Sequence, residues 1–152
     1  MRRKELEITD RAAIDDILAR AQVCRVAMAD GGQPYVVPLN FGYDGRALYL
    51  HCAKEGRKLE ILRKNPLVCF EVDIDHKLVI GDKACARTMK YSSVIGFGRA
   101  EILEPGGEKK KGLELLLDHY GGSDAPLADK MVDAVEVIRI DIESLTGKTK
   151  YR

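Results

Sequence analysis

Two basic residues follow a glycine in the stretch HCAKEGRKLEILRKNP, which covers residues 51–66. Arg57 and Lys58 open a segment in which Leu59 and Leu62 are spaced as on one face of a short helix. Cations are unfavourable at a helix N-terminus, because the helix dipole already makes that end positive. A phosphate there would meet free backbone N–H groups and two charged donors together. The pattern therefore indicates a phosphate site, with the alternative that both side chains simply point into water.

His51 and Cys52 stand at the end of the strand that is predicted to precede this helix. An imidazole beside a phosphate can donate a hydrogen bond to it, face a substrate pocket, or be a satisfied histidine at a strand end. We expect His51 to have the pocket or phosphate role, which makes it the candidate catalytic residue. Cys52 is better explained as a packing residue.

The elements that must position these side chains are mostly strands. One helix is predicted near the N-terminus, where Ile14, Ile17 and Leu18 have helical spacing after a possible cap at Asp10 or Thr9. A second helix follows Gly56 and ends at Asn65-Pro66. A third covers 108–122. Alternating apolar residues and Asp-Gly turns predict six antiparallel strands, and residues 75–89 are read as a connection. Such apolar strands would otherwise leave exposed edges, so we expect a closed or nearly closed barrel. The strands are 23–29, 34–44, 47–53, 66–74, 90–103 and 133–148.

Pro38 lies inside one of these strands and cannot donate a hydrogen bond to a neighbouring strand. Its nitrogen must therefore face a sheet edge, a bulge or a bound molecule. A bulge and a ligand are equally compatible with the sequence. Gly96 and Gly98 alternate in another strand, as expected where a strand coils sharply in a small barrel.

The composition is that of an ordinary domain: 152 residues, 45% hydrophobic, 32% charged and a net charge of +1. We expect a single domain covering 1–152. With 25 basic and 24 acidic residues, the chain has no overall excess of positive charge that would favour binding to nucleic acid or to an anionic membrane. The N-terminus, MRRKELEITD, has no apolar run, so we expect a cytoplasmic protein. The cysteines are too scattered to predict a metal site or disulfides: Cys24, Cys52, Cys69 and Cys85.

Two motifs carry a resemblance to a known family. They are H-C-A-x-x-G-R-K-L-x-x-L-R-x-N-P-x-V-C-F-E-V and Y-x-S-V-I-x-F-G-R-A-E, in that order. The chain resembles the flavin-binding split-barrel family typified by pyridoxamine 5′-phosphate oxidase, and most of all its nitroimidazole-resistance-like branch. The similarity runs from about Gln22 to Leu103 and returns weakly at LTGK, residues 145–148. It implies a mainly β, six-stranded antiparallel split barrel with short peripheral helices.

The resemblance also implies a cofactor, FMN, held in a groove between two subunits of a homodimer. By position, Arg57 and Lys58 bind the FMN phosphate, and His51 and Cys52 lie beside it. Ser93 supplies a polar contact from the long strand to the ring or the phosphate. The segment along the flavin ring and ribityl chain comprises Val36, Val37, Pro38, Leu39 and Asn40.

The reaction that this implies is reduction of a small, flat, electron-poor substrate such as a nitroaromatic, with a nicotinamide or another reductant as donor. A flavin carrier without turnover is one alternative. A related barrel that holds haem or a deazaflavin, with His51 or His76 as axial ligand, is another. Oxidation of vitamin B6 is not expected, because the chain ends at LTGKTKYR soon after its last predicted strand.

Overall fold

The computed structural model describes residues 3–81, 86–122 and 126–151. Its main element is an antiparallel sheet whose long strands carry alternating buried and exposed side chains. The strands are β1 (Glu7–Ile8), β2 (Cys24–Asp30), β3 (Gln33–Leu39), β4 (Phe41–Tyr43), β5 (Ala47–Cys52), β6 (Leu67–Val79), β7 (Thr88–Ile102) and β8 (Glu136–Thr149).

Short helices lie at the margins of the sheet. They are α1 (Arg11–Arg20), α2 (Arg57–Lys64), α3 (Gly107–His119) and α4 (Asp129–Asp133), with a 3-10 turn at Lys4–Leu6. Asp10 caps α1, because its carboxylate accepts a hydrogen bond from the Ala12 amide at 3.1 Å. The predicted cap is therefore confirmed at Asp10. Asn65-Pro66 ends α2 as predicted.

The sheet curls into a split barrel, and its connectivity shows why. The strand order is β3-β2-β6-β7-β8-β5-β4, with β1 paired to β8. The two end strands, β3 and β4, are separated along the chain by Asn40 alone. The sheet must therefore bend until its two edges approach each other at Asn40. The predicted mainly β split barrel is confirmed.

The barrel interior forms the larger of two apolar clusters. Leu18 of α1 closes it from one side, while Phe41, Leu48, Phe70 and Ile140 fill it with side chains that are 0% exposed. A smaller cluster joins α3 and α4 to the outer face of β5 and β8. Both faces of β5 are thus buried, so the strand is packed from both sides.

Gly96 is required by the packing of the barrel. It lies opposite Phe70 in the β6–β7 ladder, and a Cβ added at Gly96 would collide with the Phe70 ring. The ring occupies the space that a side chain at Gly96 would need, so this glycine accommodates a core aromatic ring as well as strand coiling.

Three sequence-based predictions need correction. The predicted strand 34–44 is two strands, because β3 pairs with β2 whereas β4 pairs with β5. With β1, this makes the sheet eight-stranded and its main path seven-stranded rather than six-stranded. Residues 75–79, read as a connection, continue β6. The short helix α4 was not predicted. Cys85 lies outside the described residues.

Candidate functional site

The edge of β3 and the start of α2 lie close to each other. Phe41 pairs with Leu50, so continuing this antiparallel ladder by one residue brings Asn40 beside His51. On the N-terminal side of Asn40, the chain no longer lies beside β5, and β3 pairs with β2 instead. The Arg57 guanidinium then lies 4.9 Å from the centre of the Tyr35 ring. We call the space bordered by residues 35–40 and 51–58 the β3–α2 groove.

The β3 side of the groove is an unpaired strand edge. Among the described strands, β3 pairs with β2 only. The β2–β3 ladder runs without a register shift, so the bulge alternative for Pro38 is wrong and the proline lies in an edge strand. Val36, Pro38 and Asn40 are exposed, whereas Val37 and Leu39 pack against the core. The outward side of this edge is therefore available to a ligand.

The α2 side of the groove carries the two cations. Gly56 precedes the helix with a φ of 137°, a conformation that favours glycine, and no side chain caps the helix. Arg57 is exposed and Lys58 is partly buried. In the parts of the chain that the structure describes, neither forms an ion pair with a carboxylate. An uncapped helix N-terminus with two unpaired cations is a suitable place for a phosphate.

His51 and Cys52 border the groove from the end of β5, in different environments. Cys52 is only 7% exposed and belongs to the barrel core. Burial raises the pKa of its thiol, Lys58 opposes this in part, and Glu136 adds to it, which supports packing rather than chemistry. His51 is partly buried opposite Val137. Its Nδ1 is buried and has no hydrogen-bond partner among the residues that the structure describes, which is unusual unless a bound group supplies one.

Ser93 lies apart from the groove within one chain. It is 8% exposed and pairs with Asp73 on one side and Lys148 on the other. Phe97, which shares a register row with Val36, is four residues further along β7. Ser93 is therefore roughly 13 Å from that row along the strand direction. The structure brings the other predicted site residues together and leaves Ser93 at a different level of the barrel.

The sequence did not predict that several charged side chains form a cluster near the groove. Arg25 lies opposite Pro38 in the β2–β3 ladder, and its Nη1 is 2.5 Å from Asp73 Oδ1 and 3.1 Å from Glu71 Oε2. His76 Nε2 is 2.5 Å from the other oxygen of Asp73. The loss of clean alternation after residue 74 was the available signal, but it does not specify which side chains meet.

Two further observations concern metal binding and membrane-spanning helices. No group of three histidine, cysteine or acidic side chains within residues 3–81, 86–122 and 126–151 is placed to hold a metal ion. The helices in the described part of the chain are also too short or too polar to cross a membrane.

The curled sheet, the β3 edge and the basic N-terminus of α2 define a split barrel that carries two cations beside an open strand edge. The family model described as pyridoxamine 5′-phosphate oxidase matches residues 10–149. The chain belongs to this family.

Solved structures agree with this assignment. A proposed 5-nitroimidazole antibiotic resistance protein from Bacteroides thetaiotaomicron is 36% identical with a TM-score of 0.84, over 94% of this chain and 86% of that one. An FAD-binding protein from Mesorhizobium loti is 28% identical with a TM-score of 0.66, over 91% and 93%. The flavocytochrome Anf3 from Azotobacter vinelandii has a TM-score of 0.86 at 24% identity, over 100% and 72%, and shows the fold alone. The predicted family and its nitroimidazole-resistance-like branch are confirmed.

A curated relative adds little to this. An uncharacterized protein from Rhizobium meliloti is 27% identical over 67 residues. The match spans 44% of this chain and 44% of that protein, so less than half of the relative's length is covered.

Proposed function

We propose that this protein binds FMN in the β3–α2 groove and uses it to reduce small, flat, electron-poor molecules such as nitroaromatics. The proposal depends on Arg57 and Lys58, two cations that form no ion pair with any described carboxylate. They begin α2, which no described side chain caps, and they lie beside the unpaired edge of β3. The similarity to a proposed nitroimidazole resistance protein supports the substrate class. The similarity to an FAD-binding protein supports a flavin.

The residues of the groove fit FMN in chemical type. Arg57 and Lys58 hold the phosphate, and the backbone of Val36–Asn40 lies along the ribityl chain and the ring. Pro38 has no N–H to leave unsatisfied at that edge. His51, whose Nδ1 has no partner in the described residues, donates to the phosphate or faces the substrate. The bound flavin supplies the electron chemistry, with a nicotinamide as the proposed donor.

A homodimer belongs to the same proposal. Val36 is 61% exposed and Phe97 is 54% exposed in one register row, with Leu67 and Ile95 on the same face at 50% and 42%. An apolar surface of this kind is typical of an interaction site. We propose that a second copy covers it and closes the groove. Ser93, distant from α2 within one chain, would then contact the flavin of the other subunit.

An anaerobic titration tests the reductase. FMN-loaded protein is titrated with NADH and NADPH while the flavin absorbance is followed, and a nitroimidazole is then added. We expect one nicotinamide to bleach the flavin and the nitro compound to restore its colour. A flavin that binds but never bleaches contradicts the reductase and favours a carrier. A haem or deazaflavin spectrum in the protein as isolated contradicts the FMN assignment.

A further inference from the structure

A bulge in β6 brings His76 to the face on which Asp73 lies. Residues three apart in a regular strand point to opposite faces of the sheet. Here the β6–β7 register shifts between Ile74 and Lys77, and Asp75 has a φ of 57°. This local irregularity places His76 Nε2 2.5 Å from Asp73 Oδ2. Bulges that redirect a side chain in this way are common beside functional sites.

Asp73 fixes the hydrogen on the His76 ring. Burial alone would raise the pKa of Asp73, but hydrogen bonds from Arg25 and from His76 outweigh it, so the pKa lies below its ordinary value. The carboxylate therefore only accepts, and Nε2 must carry the hydrogen that points to it. The second ring nitrogen, Nδ1, makes no hydrogen bond to any residue that the structure describes. It is available to a ligand.

These side chains border a cavity of about 360 Å³. Arg25, one of its walls, lies opposite Pro38 in the ladder. A cavity of this size suits a small planar molecule. Its lining residues are Arg20, Gln22, Val23, Arg25, Asp73, Ile74, Asp75 and His76.

The charges around His76 favour a neutral, polar ligand over a full anion. Arg25 pairs with both Glu71 and Asp73, and Arg20 pairs with Asp75 at 2.6 Å. Lys77 and Tyr151 border the other side of His76. Arg20 also pairs with Asp16, so the three cations Arg20, Arg25 and Lys77 face four acids, and an anionic ligand is disfavoured. The acids are Asp16, Glu71, Asp73 and Asp75.

We propose that this cavity is the polar end of the substrate site, where His76 Nδ1 accepts a hydrogen bond from an N–H or O–H group of a small planar substrate. Asp73 and Arg25 act as positioning residues that hold the ring. The inference rests on the proposed function, because it identifies the substrate pocket of the same flavin site.

Equilibrium binding without a reductant tests the proposal, since no turnover then occurs. Protein labelled with ¹⁵N-histidine, both flavin-free and loaded with oxidised FMN, is titrated with 2-nitroimidazole, and 1-methyl-2-nitroimidazole serves as the control ligand without the ring N–H. The chain has three histidines, so the ring signals can be assigned. We expect a saturable shift of the His76 signals and none of His119, whose Nε2 is held by the Ala21 carbonyl at 2.6 Å. Asp73→Asn should alter the His76 ¹⁵N pattern, because the hydrogen on Nε2 is no longer fixed.

Substitution provides the second measurement. His76→Gln keeps a donor for Asp73 but lacks the second ring nitrogen, so affinity for 2-nitroimidazole should fall about tenfold while FMN affinity stays within about twofold. An unshifted His76 in both forms of the protein, or an unchanged affinity in His76→Gln, would overturn the proposal. A protein that binds no FMN refutes the proposed function instead, and the flavin-free titration still decides the role of the cavity.

Discussion

Replacing both Arg57 and Lys58 with alanine is the sharpest test of the groove. The two side chains follow an uncapped helix start and form no ion pairs with described carboxylates, so their removal breaks few contacts within the protein. The fold should remain intact, because the buried face of α2 consists of Leu59, Ile61 and Leu62. Loss of affinity in this variant can therefore be attributed to the ligand.

The magnitude follows from two charge-assisted hydrogen bonds. Each is worth about 1.5–3 kcal/mol. Arg57 is exposed, and water screens its charge, so the lower value applies. Two bonds at that value amount to about 3 kcal/mol, which predicts a loss of FMN affinity of roughly 150-fold.

Quenching of flavin fluorescence on binding measures the affinity, and riboflavin separates the phosphate from the rest of the ligand. Riboflavin lacks the phosphate, so the double substitution should leave its affinity almost unchanged. Arg63→Ala/Lys64→Ala removes the same charge from the last turn of the same helix and serves as the control. We expect this control to bind FMN like the unmodified protein.

Two results would refute the reasoning. An unchanged FMN affinity in the Arg57→Ala/Lys58→Ala variant would show that the phosphate lies elsewhere. An equal loss for FMN and riboflavin would show that the two residues support the fold of the groove rather than the phosphate. Melting curves of all variants establish that they remain folded.

The remaining predictions concern packing, pH and assembly. Gly96→Ala should lower the free energy of unfolding by about 2–3 kcal/mol in urea titrations, because the new methyl group collides with the Phe70 ring. Burial alone would raise the pKa of Asp44, but backbone N–H groups at 2.9 Å outweigh it and lower the pKa. Asp44→Asn should therefore cost about 1–2 kcal/mol at pH 6, and the difference from the unmodified protein should shrink as the pH falls below about 4. Phe97→Ser should weaken the proposed homodimer at least a hundredfold in light scattering, since two rings lose their burial.

Matched control variants exist for two of these three changes. Gly107→Ala places a methyl group in open space near the start of α3 and should be close to neutral. A pH-independent cost of Asp44→Asn between pH 6 and pH 3 would contradict the assigned pKa direction. Met131, which is 54% exposed like Phe97 but lies on α4, should tolerate serine without a change in assembly. Equal effects of the two serine substitutions would contradict the assignment of the dimer face.

Local sequence patterns were sufficient for much of the fold and for part of the site. Helical spacing and Asp10 located α1, and the Asn65-Pro66 pair located the end of α2. Arg57 and Lys58 could be placed at a helix start because glycine, helix spacing and the preceding strand are all local features. Family resemblance then linked them to Val36–Asn40, and the structure brings both segments to one groove.

The features that were missed depend on which distant segment each residue meets. Residues 34–44 alternate continuously, so the sequence does not reveal that the chain changes its pairing partner at Asn40. The residues before Asn40 pair with β2 and those after it pair with β5, which lies near the opposite edge of the sheet. The separation of Ser93 from α2 likewise depends on register across several strands.

By itself the sequence determined the period of most of the strands, the start of the first helix, the end of the second and the position of two cations at a helix start. Only the tertiary structure decided that β3 is a free edge, that Phe70 covers Gly96 and that a bulge turns His76 toward Asp73. The physical reason is that turns, caps and periodicity arise from interactions between neighbours in the chain. Strand pairing, bulges and cavities are instead set by the sum of contacts between segments far apart in sequence.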